Sequence, residues 1–342
     1  MPRARTITAS QALFVGPTPA SGGHFQATTG TLPKLLQDTT SGLNIRNLVK
    51  ELLRVQSANY SFNFDQSPVN QFGELAAIDY VAANPPTVSL DFSYLLSNMN
   101  NEKIMGFAVS SGTLLGCLSG ILKKESDDKN YFIGVVSEGE DAHQTTNTTD
   151  YTVGIGNGYI TNYSLNAQVG QFPTVSVTVE GLNMNVIAGS SGLVPAINQF
   201  SGTPITNSFY KLPITGSSTS ISGLTTNSSA LAISTLKPQD VTFSLGYADL
   251  GASVSDWKVQ SVNLSIPLSR ESLNQLGSRY SFSKELTFPI NATMTVTALQ
   301  GDMITGNLNA LFEGCSTSTY DATLTFKYPC FGQTTIAAYI CR

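Results

Sequence analysis

The chain has 342 residues, and its 23 acidic and 18 basic side chains give a formal net charge of −5. Only 12% of the residues are charged, about half the share in typical soluble proteins, and Ser, Thr, Asn and Gly take their place. This composition is typical of β-rich proteins with polar, uncharged surfaces. The lack of a basic excess argues against a partner that is held mainly through phosphate contacts.

The N-terminal part of the sequence predicts little regular structure. Residues 1–43 are rich in Thr, Gly and Pro, which predicts an N-terminal arm. The apolar run 12–15 is too short for the hydrophobic core of a signal peptide, so secretion by that route is not expected. Within residues 43–53, apolar side chains at helical spacing predict a short amphipathic helix or a turn.

An internal repeat organises the rest of the chain. Residues 55–93 align without a gap on residues 259–297, and nine of these 39 positions are identical. Chance would give about two or three identities. Each copy is predicted to form two long strands, and Tyr60, Phe62 and Phe64 alternate with polar residues as in a half-buried strand.

The two strands of each copy are joined by a loop of about twenty residues, which is too long for a tight hairpin. An Asn-Gln-Phe/Leu-Gly element recurs within it at residues 70–73 and 274–277. We expect this loop to be either an ordered lid over a barrel or an arm that reaches a neighbouring subunit.

A shorter third hairpin is predicted between the two copies, with strands at residues 159–165 and 172–179. The tetrapeptide Pro-Thr-Val-Ser at 173–176 repeats the one at 86–89. Just before this hairpin, the glycine-rich run 154–158 lacks the spacing of a phosphate-binding loop and predicts a tight turn.

Three further segments complete the outline. Residues 104–122 carry no charge, but they contain several hydroxyl side chains, so a buried helix or helix-loop is predicted rather than a membrane span. Residues 187–239 are a Ser/Thr/Gly-rich insertion, either flexible or a small strand-rich excursion. Alternation resumes at residues 240–245, and 321–327 and 334–340 are two further candidate strands.

The sequence predicts no enzyme and no cofactor. His24 and His143 are the only histidines, and no nucleophile motif accompanies them, so no catalytic residues are assigned. The four cysteines lack metal-site spacing and are predicted to be free buried thiols, with no metal bound; they are Cys117, Cys315, Cys330 and Cys341. An acidic cluster lacks the spacing of a calcium loop and predicts a solvated turn; it comprises Asp127, Asp128, Glu138, Glu140 and Asp141.

Taken together, these motifs resemble the tail tube proteins of tailed bacteriophages. The resemblance rests on Val-Gln-Ser at 55–57, Asn-Gln-Phe-Gly at 70–73, Pro-Pro-Thr-Val-Ser-Leu at 85–90 and the hairpin that begins at Tyr159, and it covers roughly residues 44–186 and 250–300. It implies a mainly β fold, a β-sandwich or barrel with one or two short helices. It also implies subunits that form stacked rings and a channel that carries genomic DNA.

The resemblance also implies partners and a location. The partners would be further copies of the chain, other tail proteins and DNA that passes without specific binding, and no membrane. The protein would belong to the virion tail and be assembled in the host cytoplasm. Because DNA must slide through it, the channel lining should lack Lys and Arg.

Several alternatives stay open at this stage. Residues 44–186 form the first tube-like unit, and residues 240–342 either form a second unit, as in a ring of three chains, or complete the first barrel, as in a ring of six. Another virion structural protein, from a capsid, a decoration layer or a baseplate, would fit the same pattern. A carbohydrate-binding adhesin is a further alternative, in which Trp257 and the thirteen tyrosines could stack on sugars, although Trp257 is predicted to be a core residue.

Overall fold

The computed structural model describes residues 11–17, 49–82, 84–97, 99–107, 121, 127–136, 142, 151–188, 191–193, 195–198, 203–204, 209–212, 236–246, 257–300, 321–327 and 335–341. The first strands and one helix are β1 (Gln11–Pro17), β2 (Lys50–Glu51), β3 (Val55–Asn63), β4 (Gln66–Val69), β5 (Asp79–Ala82), β6 (Thr87–Leu95), α1 (Asn100–Met105), β7 (Asp128–Val135), β8 (Tyr151–Gln168), β9 (Thr174–Gly181) and β10 (Asn183–Ala188). The remaining strands are β11 (Ser191–Leu193), β12 (Ile197–Asn198), β13 (Thr203–Pro204), β14 (Phe209–Lys211), β15 (Val241–Gly246), β16 (Trp257–Pro267), β17 (Arg270–Leu273), β18 (Ser283–Leu286), β19 (Thr293–Gln300), β20 (Asp321–Lys327) and β21 (Thr335–Cys341). The prediction of a mainly β fold is confirmed.

Ten strands form one antiparallel sheet around the long strand β8. The first half of β8 lies between β7 and β10, and its second half lies between β16 and β9. Beyond β9 follow β6 and then β3, and β19 follows β16. The order β3-β6-β9-β8-β16-β19 is called the six-stranded region below.

Both repeat copies therefore belong to one sheet. Their hairpins, β3–β6 and β16–β19, form the two sides of the six-stranded region, and the predicted third hairpin, confirmed as β8–β9, lies between them. Among the described strands this sheet remains open, since β3 pairs only with β6 and β19 pairs only with β16.

The order in which strands pair is the same in the two halves of the chain. In the first, β1 pairs with β7 and β7 with β8, and the first copy lies between β1 and β7 in the sequence. In the second, β15 pairs with β20 and β20 with β21, and the second copy lies between β15 and β20. The strands β15, β20 and β21 form a separate sheet.

Strict alternation of apolar residues builds the core on one face of the six-stranded region. In β6, Val88, Leu90, Phe92 and Tyr94 are buried, while the residues between them are not. The same alternation holds in β9, in β16 and in the second half of β8, and Leu324 and Phe326 of β20 join the same core.

The N-terminal part differs from expectation. Residues 11–17, which composition assigned to an arm, form β1, whose apolar residues are buried against β7. The predicted helix or turn over 43–53 is a strand at residues 50–51, because these pair with β1. The other residues of the arm and residues 43–48 lie outside the described part of the chain.

The glycine-rich run 154–158 is not the predicted tight turn but the middle of β8. A Cβ atom on Gly156 would lie 2.3 Å from the carbonyl oxygen of Pro195, and one on Gly158 would lie 2.8 Å from the ring of Tyr131. These glycines are needed because other groups approach the strand closely, a reason for strand glycine that composition does not distinguish from a turn.

The helix α1 is short. It begins at Asn100 and ends at Met105, where Gly106 adopts a left-handed conformation with φ 106°. The predicted buried helix over 104–122 is thus described only at residues 104–107 and at the buried Ile121, since residues 108–120 and 122 lie outside the described part. Among the described residues, no helix is long and apolar enough to cross a membrane.

The carboxyl group of Glu102 on α1 is buried and joins the helix to the sheet. The hydroxyl of Tyr94 donates a hydrogen bond to Glu102 Oε1 at 2.6 Å, and that of Tyr163 donates to the same oxygen at 3.3 Å. Burial raises the pKa of Glu102, although the two tyrosine hydrogen bonds oppose the shift.

The raised pKa of Glu102 predicts a pH-dependent contribution to stability. Because the folded protein holds this proton more tightly than the unfolded chain does, the contribution is greatest below the unfolded pKa of 4.5 and is lost as pH rises through the folded pKa. The variant Glu102→Gln keeps an acceptor for both tyrosines and does not titrate. Its free energy of unfolding relative to wild type should therefore rise with pH in urea titrations, and a constant difference would contradict the assignment.

Candidate assembly surface

The two repeat hairpins match in detail. Each residue of the second copy lies 204 positions beyond its counterpart, as Val259 does from Val55. Both long hairpins carry an irregularity at the matching place, between Val55 and Ser57 in β3 and between Val259 and Ser261 in β16. The small hairpins β4–β5 and β17–β18 pair in the same register.

The loop within each copy is also equivalent. We call residues 66–82 the first arm and residues 270–286 the second arm. Gly73 and Gly277 at their tips have φ values of 97° and 87°, a conformation that favours glycine. Each predicted loop is therefore an ordered hairpin, and the recurring Asn-Gln-x-Gly element supplies its turn.

The surroundings of the two copies differ sharply. In β16, Val262, Leu264 and Ile266 are buried in the core. Their counterparts in β3 are Ala58, Tyr60 and Phe62, and the exposed fractions of Tyr60 and Phe62 are 43% and 66%. The strand predicted at 55–64 is therefore confirmed, but its predicted half-burial is wrong in the single chain.

The hydrogen-bonding edges differ in the same way. The edge of β16 that faces away from β19 pairs with β8 from Ser261 to Pro267. The matching edge of β3, which faces away from β6, pairs with no described strand. The edge of β19 that faces away from β16 also has no partner among the described strands. The matching edge of β6, which faces away from β3, pairs with β9. Neither β3 nor β19 contains a charged residue or a proline, so both edges lack the usual protection against pairing.

The second arm is held against its own chain by Arg270 and Lys284. The guanidinium of Arg270 donates two hydrogen bonds to Asp127, at 2.6 and 2.9 Å, and its Nε donates to the carbonyl of Ile160. Its Cζ also lies 4.9 Å from the ring centre of Tyr159. Lys284 forms an ion pair with Glu180 of β9.

The first arm has no such anchors. The counterparts of Arg270 and Lys284 are Gln66 and Tyr80, and both are exposed. Exposed apolar side chains cover this arm instead. They are Val69 at 40%, Phe72 at 106%, Leu75 at 108%, Ile78 at 54%, Tyr80 at 60% and Val81 at 49%.

The two arms predict a large difference between matched variants. Arg270→Ala should lower the free energy of unfolding by about 3 kcal/mol, because it leaves the mostly buried Asp127 carboxylate without its partner. Gln66→Ala, at the equivalent exposed position, should change it by less than about 0.5 kcal/mol. Equal effects in urea unfolding would show that the Arg270 contacts do not hold the second arm.

The face of the six-stranded region opposite the core is polar. A row of hydroxyl side chains crosses all six strands in register: Ser57, Ser93, Ser176, Ser164, Ser265 and Thr293. The hydroxyls of Ser57 and Ser93 are 2.7 Å apart. Charged side chains that the described strands place on this face are Asp91, Glu180 and Lys258, of which Glu180 is paired with Lys284.

The residues weighed for chemistry are dispersed. Asp127 is paired with Arg270, and Asp128 is buried and accepts a hydrogen bond from Asn157 at 3.1 Å, so neither belongs to the predicted solvated turn. The described residues contain no group of three or more His, Cys, Asp or Glu side chains that could hold a metal ion. Outside the described part lie Glu138, Glu140, Asp141, His24, His143, Cys117, Cys315, Cys330 and the side chain of Trp257.

Burial shifts the pKa values of the groups around this acidic pair. It raises the pKa of Asp127, and the hydrogen bonds and charge of Arg270 counteract the shift. It lowers the pKa of Lys129, although Asp128 and Asp127 oppose the change. Burial is thus the main cause of both pKa shifts, and the Arg270–Asp127 ion pair gives Asp127 a structural role.

Comparison with known proteins adds no identification. No protein-family model matches the chain, and no curated protein matches it significantly.

Proposed function

We propose that the protein is a structural subunit that assembles with copies of itself into stacked rings, which form a phage tail tube for the passage of genomic DNA. The observation that carries this proposal is the contrast between the two repeat copies. The described residues cover both the edge and the apolar face of β16, whereas in β3 they leave the edge unpaired and Tyr60 and Phe62 exposed, with only Val55 and Ala58 packed against the core. A second copy of the chain could give β3 the strand partner and the apolar cover that β16 has within its own chain.

The directions of the free edges support a ring or an open array. The six strands alternate in direction, so β19 of one copy and β3 of the next are antiparallel when they lie side by side. The two edges belong to different parts of the chain, and such a head-to-tail contact repeats until a ring closes. The repeated order of pairings in the two halves supports a chain that supplies two related units to each ring.

The polar face supports a channel lining. The serine and threonine row contains no cation, and among the charged side chains on this face Asp91 and Lys258 carry opposite charges and Glu180 is paired with Lys284, so the face has no basic excess. DNA that contacts such a surface would gain little salt-dependent affinity, so it could slide. Under this proposal the subunit belongs to the virion tail, is assembled in the host cytoplasm and contacts other tail proteins.

Electron microscopy of the purified chain in negative stain tests the proposal directly. Rings or stacked rings with a central channel are the expected result, and sedimentation velocity should show a matching large species. A chain that remains monomeric at high concentration, or that binds glycans as a monomer, would overturn the proposal in favour of an adhesin.

A further inference from the structure

The first arm is an apolar hairpin with no partner among the described residues of its own chain. Phe72 and Leu75 lie at its tip and are fully exposed, and the nearby Ile78 and Tyr80 are more than half exposed. An apolar surface of this kind, contiguous along one hairpin, marks an interaction site in a soluble protein.

The second arm shows what an arm of this shape does when it has a receptor. It lies against β8 and β9, and Arg270 and Lys284 pair with Asp127 and Glu180. Those acids are occupied within the chain, and the first arm lacks both basic anchors. The first arm therefore requires a different receptor, one that is apolar and needs no ion pairs.

An apolar surface of this kind lies at the opposite end of the same sheet. The first arm extends from the end where β3 finishes and β6 begins. The turn between β8 and β9 lies at the other end, beside the start of β3, because β9 begins opposite the end of β6. In that turn, Val169 and Phe172 are exposed to 58% and 54%, and residues 169–173 carry no charge.

We propose that the first arm binds the β8–β9 turn of a second copy of the chain, with Phe72 and Leu75 packed against Val169 and Phe172. The inference rests on the self-assembly proposed above and adds to it a contact along the axis of the assembly. Because donor and receptor lie at opposite ends of one subunit, the contact is head-to-tail and can repeat from ring to ring. The second arm has a structural role within its own chain and takes no part in this contact.

Several observations identify the partner as a second copy. The second arm shows that an arm of this shape packs on the sheet of this chain, although it does so at Ile160 and Glu180, at the end of β8 and β9 away from the 169–173 turn. The first arm is continuous with the free edge of β3, and the proposed function assigns that edge to a contact between copies. The arm carries only Glu74 and Asp79 as charged residues, and the uncharged turn does not repel them.

A photo-crosslinking experiment tests where the arm binds. The full-length chain carries p-benzoylphenylalanine at position 72 and is mixed with an isotope-labelled copy before irradiation. The expected product joins position 72 of one copy to a peptide that contains residues 169–173 of the other. The matched control carries the same group at position 276, which is equally exposed in the second arm and should not give this product. Products confined to one chain, products on another surface, or the absence of products would overturn the proposal.

Matched serine variants test what the contact contributes. Phe72→Ser with Leu75→Ser should weaken end-to-end association by about tenfold or more for each side chain, since each loses a large apolar contact. Leu276→Ser, the matched change in the second arm, should leave association unchanged. All three side chains are fully exposed, so the thermal midpoint of the monomer should not move. If variants in both arms weakened association equally, or if the first-arm variant did not weaken it, the first arm would not be the arm that makes the contact between copies.

The outcomes separate this inference from the proposed function. Stacked rings that persist in Phe72→Ser/Leu75→Ser would overturn the arm contact and leave the tail tube proposal standing. A cross-link from position 72 to the β8–β9 turn in a chain that forms only short linear oligomers would support the arm contact and overturn the tube.

Discussion

The variant Phe62→Lys is expected to abolish assembly while the single subunit stays folded. Phe62 is 66% exposed at the end of β3 that the described residues leave uncovered, so a lysine there costs the monomer almost nothing. In an assembly that covers this end of β3, the ammonium group would have to leave water, which costs about 4 kcal/mol or more. That corresponds to a loss of about a thousandfold in association, and sedimentation velocity should show only monomer.

The second repeat copy supplies the matched control for this variant. Ile266 aligns with Phe62, but its side chain is buried, with an exposed fraction of 4%. Ile266→Lys should therefore lower the free energy of unfolding of the single subunit by about 3 to 5 kcal/mol. If Phe62→Lys assembled normally, or if both variants unfolded the subunit alike, the face of β3 would not be a contact between copies.

These matched positions show where sequence reasoning stops. The alternation that predicted the strands at 55–64 and 259–268 is the same in both copies, and both strands form. Alternation shows which side chains share a face, but it does not show whether anything covers that face. The burial of Ile266 depends on distant strands such as β8 and β20, which no local pattern reveals.

One local signal could have separated the two copies. Arg270 and Lys284 replace Gln66 and Tyr80 in otherwise equivalent arms. With Arg279, the second arm has three basic residues, and the first arm has none, which predicts that one arm has acidic partners and the other has not. Their partners, Asp127 and Glu180, lie more than a hundred positions away in the sequence. Spacing alone therefore could not identify them.

The glycines of β8 show a different limit. In sequence, Gly154, Gly156 and Gly158 predict a turn because glycine is common there. In the structure they lie in a strand, where they leave room for groups such as Pro195. Conformational freedom and small size are separate properties of glycine, and only the folded chain shows which of them is used.

The polar row gives the proposed channel a measurable property. Ser176 is an exposed member of the row on β9, between Ser93 and Ser164. If this face lines a channel, Ser176→Lys adds one cation for every subunit in each ring. Assemblies of the variant should retain short duplex DNA, whereas wild-type assemblies should not.

The retention should depend on salt in a way that identifies its cause. Each neutralised phosphate releases condensed counterions, so a few lysine contacts should make DNA affinity fall about tenfold or more between about 50 and 200 mM salt. Val186→Lys is the matched control, since Val186 is exposed on β10 outside the six-stranded region. Ser176→Asn should behave as wild type because it adds no charge. If assemblies of Ser176→Lys and Val186→Lys retained DNA equally, the serine row would not face the DNA more closely than β10 does. The polar face would then be an outer surface.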